Sequence, residues 1–187
     1  MSSHHVIREN QEPALLVQDF HALDLESIGQ LLEWSPTIIA NNDSVDNLLM
    51  EEIKVDVVFS KEELSALQEH TKVISFEESF VYEALNYLIK ENHKAVNILS
   101  NYLPEHLNSF AEEINIVLFY DQKRFVLVQD NFEKWKPKGD LVYVDEKYLK
   151  SFQGVNYISK GIFETIQDGF VQLEFNTTDF VLLGEEI

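Results

Sequence analysis

The sequence predicts an α/β fold, a Rossmann-like and mainly parallel sheet, followed by a small all-β module of sandwich or barrel type. Three observations carry this. Short apolar runs alternate with helix-period segments about five times before residue 113. From Ile114 onward, β-branched and aromatic runs are separated by Gly, Asn and Asp. Five of the six glycines fall at or after Gly139, so the two halves follow different turn chemistry. The expected boundary lies near Phe132–Gly139, with an α/β domain over residues 1–131 and a β-module over 140–187.

The first eleven residues are polar and read as a loose terminus. Ala14–Val17 is the first buried strand, with Gln18-Asp19-Phe20 as its exit. Leu25, Ile28, Leu31 and Leu32 share a face of a helix that reaches Trp34, and Ser35-Pro36 closes it. Thr37–Ala40 is a second buried strand, Asn41–Ser44 a polar turn, Val45–Glu52 a helix and Val55–Phe59 a third strand. A strand–helix–strand unit of this length makes neighbouring parallel strands, and ligands meet the loops at the strands' carboxyl ends. Those loops are Asn41–Ser44 and Ser60–Glu63.

A short helix is expected over Glu62–Glu69 and a strand over Lys72–Ser75. Phe80, Val81, Ala84, Leu85, Leu88 and Ile89 form the apolar stripe of a helix over Glu77–Lys90. Ala95–Leu99 reads as a strand and Pro104–Glu113 as a helix. A hairpin follows, Ile114–Tyr120 and Lys123–Gln129 about Asp121-Gln122. Asn131–Asp140 is a basic, turn-rich connector, and seven of the 14 basic residues lie between Lys123 and Lys150. Short strands are expected at Leu141–Val144, Gly154–Tyr157, Gly161–Ile166, Gly169–Phe175 and Asp179–Leu183.

Composition narrows the function. With 45% hydrophobic and 25% charged residues, the chain can bury a core. A net charge of −19, from 33 acidic and 14 basic residues, repels phosphate backbones and argues against nucleic-acid binding. No apolar run is long enough to span a membrane. The absence of cysteine excludes disulfides and thiolate metal sites and fits a cytoplasmic protein. The α/β half has Gly29 alone, inside a predicted helix, so it carries no phosphate-cradling glycine loop.

Motif order adds a resemblance. IIANNDSVDNLL, IKVDVVFSKEE, FEESFVYEALNYLIKENHKAVNIL, NYLPEHLNSF, the hairpin INIVLFYDQKRFVLVQD, the connector EKWKPKGD and the strand GVNY follow in the order found in thiamine pyrophosphokinases. The chain resembles that family over nearly its whole length. The resemblance implies transfer of pyrophosphate from ATP to thiamine, with Mg²⁺ held by motif aspartates, in a homodimer joined through the β-modules. A thiamine site would draw on Asn156-Tyr157 and the Asn176-Thr177-Thr178 turn.

Matched by position, the family's turn aspartate is Asn42, with Asp43 and Ser44 in place of its glycines. In the next loop Ser60 replaces a glycine, Lys61 the first aspartate and Glu63 the last. Along the helix motif Phe76 stands for lysine, Glu77 for aspartate, Ser79 for threonine and Phe80 for the second aspartate. Leu103 replaces an arginine and Glu105 an aspartate, while His106 is kept. Asn42, Asp43, Ser60 and Lys61 are thus the candidate ligand-binding positions, and no metal site is expected. Lys61 puts a cation where Mg²⁺ would sit, and Phe80 removes a ligand. Phosphoryl-type transfer rests on positioning and charge neutralisation, so such losses should cost many orders of magnitude in rate. The expected function is a divergent homologue with little or no catalysis, a binder of a thiamine-like or nucleotide small molecule or a regulatory protein. The alternative is a working thiamine pyrophosphokinase.

Overall fold

In the computed structural model, residues 12–34, 36–62 and 68–187 are described. Ser35 and most of the helix expected over Glu62–Glu69 lie outside them. The first half of the chain runs β1 (Ala14–Val17), α1 (Leu25–Leu32), β2 (Ile38–Asn41), α2 (Asn42–Met50), β3 (Val57–Ser60), β4 (Lys72–Ser75), α3 (Phe80–Lys90) and β5 (Ala95–Leu99). The second half is β throughout: β6 (Asn115–Tyr120), β7 (Lys123–Val128), β8 (Asn131–Lys136), β9 (Leu141–Val144), β10 (Leu149–Gln153), β11 (Val155–Ser159), β12 (Ile162–Thr165), β13 (Gly169–Phe175) and β14 (Val181–Glu186).

One mixed sheet of eleven strands spans both halves, in the order β11-β12-β9-β14-β7-β6-β5-β1-β2-β3-β4. The six strands from β4 to β6 are parallel, and β7, β14, β9, β12 and β11 continue the sheet antiparallel. The inner parallel strands β1, β2 and β3 are buried on both sides because helices cover both faces, while the edge strand β4 is largely exposed. On one face α3 presents Val81, Ala84, Leu85 and Leu88 to Leu16, Ile39, Phe59, Ile98 and Leu118. On the other, α1 and α2 bring Ile28, Val45 and Leu48 against Leu15, Val17, Ala40 and Val58. Each fully buried side chain of this size stabilises the fold by about 1.5–3 kcal/mol.

The second sheet, β10-β13-β8, packs on the antiparallel part of the first and closes a sandwich around Val142, Val144, Phe163, Val171, Leu173 and Leu183. Strand β7 serves both cores: Phe125 lies in the parallel half's core, and Val126 and Val128 pack on the sandwich's. Gly184 on β14 lies directly under the Phe125 ring, where a Cβ would come within 2.5 Å of a ring carbon. No helix of the described residues is long and apolar enough to cross a membrane.

Several expectations are corrected. Asn41–Ser44 is no turn: α2 starts straight after β2, because the Asn41 side chain accepts from the Ser44 N–H and caps the helix. Helix α3 starts at Phe80 instead of Glu77, since the N–H groups of Glu77 and Glu78 both donate to the Glu83 carboxylate. Pro104–Glu113 forms a single 3-10 turn over Leu107–Phe110. His106 at φ +57° interrupts the helical backbone there, and Ser109 donates its hydroxyl to the His106 carbonyl. The basic connector is strand β8, and β10 was not anticipated.

Candidate functional site

Ligands in parallel α/β sheets meet the carboxyl ends of the strands where the strand order reverses, here beside β1. That crevice is stitched shut. The N–H groups of Gln18 and Asp19 both donate to the Leu99 carbonyl, at 2.9 and 3.0 Å, joining the exits of β1 and β5. The Gln18 carbonyl accepts from Asn41 Nδ2 and from Ser44 Oγ, both at 3.0 Å, which joins β1 to the start of α2. The backbone groups of these loops are therefore engaged in holding their shape, while the buried Gln18 Oε1 has no hydrogen-bond partner among the described residues.

The opening lies one strand further out, over the ends of β2 and β3. A cleft of about 280 Å³ is lined by Asn41, Asn42, Asp43, Lys61, Glu62 and Phe76. Ser60 is buried beneath it, donating to the Glu62 carbonyl at 2.8 Å and accepting the Glu62 N–H at 3.0 Å. Lys61 Nζ donates to the Glu77 carbonyl at 3.1 Å and stands 5.0 Å from the centre of the Phe76 ring. This cation–π contact and single hydrogen bond leave two ammonium protons for other partners. Lys61 makes no ion pair with a described carboxylate.

Aromatic packing supports the cleft. Phe59, Phe76 and Phe80 meet edge-on with centroids 5.8–6.3 Å apart, and Tyr87 joins Phe59 at 6.0 Å. Phe80 is buried, so a residue matched to a family metal ligand is a core residue here. Among the described residues no three acidic or histidine side chains converge on one point. The cleft's carboxylates, Asp43 and Glu62, share it with the Lys61 ammonium. This donor set does not fit a resident Mg²⁺, which asks for several oxygen ligands and no competing cation.

The structure thus brings Asn42, Asp43 and Lys61 together, with Ser60 below them and Glu77 reaching Lys61 through its backbone. Ser79 sits at the head of α3 without a side-chain capping bond. Glu105 and His106 are exposed, 3.9 Å apart, and line no part of the cleft. The Glu105 carbonyl accepts from the Tyr82 hydroxyl, whose pKa is raised by burial and by the nearby Tyr102 and Glu105. Glu63 lies outside the described residues. In the β-module the Asn176–Thr178 turn borders a groove of about 490 Å³ with Lys150 and Glu174, whereas Asn156 and Tyr157 lie on β11, outside its lining.

Asn41 and Glu62 lie within the two strand-end loops singled out from the sequence, though not among the four candidate ligand-binding positions, and Phe76 enters from outside those loops. The signal for Asn41 was present, an Asn three residues before Ser44 at the end of an apolar run. Phe76 carried no local signal of a cleft position, since only the parallel packing of β3 and β4 brings it beside Lys61.

No family model matches the chain, and no curated protein matches it by sequence. Solved structures do. The thiamine pyrophosphokinase from Bacillus subtilis is 11% identical, over 92% of this chain and 97% of its own, with a TM-score of 0.58. The enzyme from Candida albicans is 8% identical over 94% and 89%, with a TM-score of 0.64. A protein from Lactobacillus plantarum is 12% identical over 93% and 97%, with a TM-score of 0.65. The chain has the thiamine pyrophosphokinase fold. The likeness spans both the parallel half and the β-sandwich, so the whole thiamine pyrophosphokinase architecture is present on a sequence with little in common residue by residue.

Proposed function

We propose that the chain is a divergent thiamine pyrophosphokinase homologue with little or no catalysis, a pseudoenzyme that binds a small molecule or serves as a regulatory protein. The observation that carries this reading is the cleft over β2 and β3. It is open and placed at strand carboxyl ends, yet its two carboxylates, Asp43 and Glu62, share it with two amides, the Lys61 ammonium and a phenyl ring, and no metal-binding cluster forms among the described residues. Its ligand would be a thiamine-like or nucleotide small molecule contacting Asn42, Asp43, Ser60 and Lys61. We place the protein in the cytoplasm, in keeping with its lack of cysteine. Residues 1–131 and 140–187 would act as its two working units, and two copies would associate through their β-modules.

A working enzyme is the second reading, favoured by the full-length likeness to thiamine pyrophosphokinases. Incubation with ATP, Mg²⁺ and thiamine separates the two. Formation of AMP and thiamine diphosphate at even ~0.01 s⁻¹, far below common enzyme rates, would overturn the silent-homologue reading. Thermal shift with thiamine, thiamine diphosphate and ATP tests binding. A ligand at ~100 times its Kd adds about 2.7 kcal/mol of stability, and no shift with any of the three removes the binding role.

A further inference from the structure

The small sheet β10-β13-β8 turns one face to the sandwich core and the other to solvent. The solvated face of an antiparallel sheet is normally polar. Here its first rung is aromatic: Trp135 on β8 stands opposite Phe170 on β13, 54% and 61% exposed. Strand β8 turns Trp135 outward while burying Lys136 beside it, against the usual sorting of these residue types. Neither ring touches another ring among the described residues. The Trp135 indole N–H has no partner there either.

Beyond this rung the same face continues as a polar ladder. The register sets Glu133, Gln172 and Gln153 in one row and Asn131, Glu174 and Ser151 in the next. Rows follow one another at ~6.8 Å along the strands, and the strands lie ~4.8 Å apart. Two grooves of about 300 and 490 Å³ run over the ladder and share Asn131 and Glu174, so they are continuous. Both carboxylates are already engaged. Glu133 accepts from Gln172 at 2.5 Å, and Glu174 accepts from Lys150 at 2.6 Å and Ser151 at 3.0 Å. The side-chain amides of Asn131 and Gln153 have no hydrogen-bond partner among the described residues, and each offers donors and an acceptor.

We propose that this face binds a neutral saccharide chain, with sugar rings on Trp135 and Phe170 and hydroxyls bonded along the ladder. The site is separate from the cleft over β2 and β3 and does not rest on that cleft's ligand. Donor and acceptor matching selects the class. A phosphate or carboxylate only accepts, and it would meet Glu133 and Glu174 on a molecule of charge −19. An ammonium only donates, so it leaves the amide N–H groups unmet and faces Lys150 among the acceptors. A hydroxyl donates and accepts at once, as a free amide does. A sugar ring joins an apolar C–H face, suited to an aromatic platform, to an uncharged rim of hydroxyls. The face presents those two surfaces side by side.

Trp34 and Trp135 are the two tryptophans of the chain, so Trp34→Phe leaves Trp135 as the sole indole reporter. This variant is titrated with cellohexaose, maltohexaose and xylohexaose. The expected result is a saturable blue shift of Trp135 emission with at least one of them, unchanged in ~1 M NaCl because no charge is screened. By calorimetry, Trp135→Ala should weaken binding at least about tenfold, the scale of a lost aromatic anchor. Gln153→Ala should weaken it about threefold, Trp135→Phe should keep part of it, and Lys61→Gln should leave it unchanged, all with unaltered circular dichroism. No saturable change with any of the three saccharides overturns the proposal, as does binding that survives Trp135→Ala. Tighter binding of tetramethylammonium that salt abolishes marks a cation site and overturns it too. So does Trp135 emission that is already blue-shifted without saccharide and moves to the red on dilution, the signature of a protein–protein face. The cleft is probed by thiamine, thiamine diphosphate and ATP, so either reading fails without the other.

Discussion

The molecule concentrates charge in two places and treats it in opposite ways. Over β2 and β3, the Lys61 ammonium stands in an open cleft with a ring and a carbonyl as partners. At the junction of β7, β8 and β14, Glu185 is buried and takes Lys134 at 2.8 Å, Lys136 at 3.0 Å and Arg124 at 3.8 Å. Lys136, itself buried, also reaches Asp140 at 3.3 Å. The second cluster ties the edge strand of the small sheet to the large one, because its cations come from β7 and β8 and its carboxylate from β14. Buried charge that is fully paired is part of the scaffold, and exposed charge in a cleft is available to a ligand. The comparison also accounts for most of the basic segment: Lys123, Arg124, Lys134, Lys136, Lys147 and Lys150 each meet a carboxylate.

Breaking the Glu185 cluster should have the largest effect. Glu185→Gln leaves the Lys136 ammonium buried with Asp140 as its remaining carboxylate, and should cost about 3 kcal/mol in urea unfolding. Adding Lys136→Met should recover much of that loss; no recovery would show that the pair is not the source. The same cluster sets an acid limit. Burial pushes the Glu185 carboxyl up, but hydrogen bonds from Lys134 and Lys136, with their charges, hold it net below its usual 4.5. A depressed folded carboxyl gives stability that is full above the unfolded value and lost as pH falls through the folded one. Unfolding free energy should therefore drop below pH 4.5, less steeply in Glu185→Gln.

Asn41→Ala removes the α2 cap and the link to Gln18, and should cost about 1 kcal/mol, more if the loops separate. His93 tests the parallel half by pH. Its ring is buried, Nδ1 has no hydrogen-bond partner, and burial lowers its pKa below 6.5 against an opposing pull from Glu91. The unfolded chain takes up that proton first, so stability should fall as pH drops below 6.5. His93→Leu should flatten the slope, and an unchanged slope would place its origin elsewhere. Lys61→Gln should have the smallest effect on folding, within about 0.5 kcal/mol. It should weaken whatever anionic group the cleft binds; a stability loss above 1 kcal/mol would make Lys61 structural and remove the contrast with Glu185.

Much of the parallel half was legible because its inner strands β1, β2 and β3 are buried on both faces, while the edge strand β4 is largely exposed. Ala14–Val17, Lys72–Ser75 and Ala95–Leu99 have the expected bounds. The cleft was half legible. Asn42, Asp43 and Lys61 sit where strand-end loops must sit, while Phe76 joins them from the end of β4. The connector was misread for a physical reason. In β8 the alternation is inverted, with Lys134 and Lys136 directed to the Glu185 cluster and Trp135 outward, 54% exposed and opposite Phe170. Lysine faces a core only when a carboxylate waits there, and this one lies about fifty residues further along the chain.

The sequence by itself determined what local forces decide. These are the apolar strands, the α3 stripe, the hairpin about Asp121-Gln122 and the absence of a glycine phosphate loop. Tertiary structure alone decided what depends on partners distant in the chain. It joined both halves through one sheet, closed the crevice at β1, opened a cleft over β2 and β3, and buried lysines around Glu185. Periodicity reports how each residue meets water, whereas a cleft and an ion cluster are properties of pairs that only packing brings within a few ångströms.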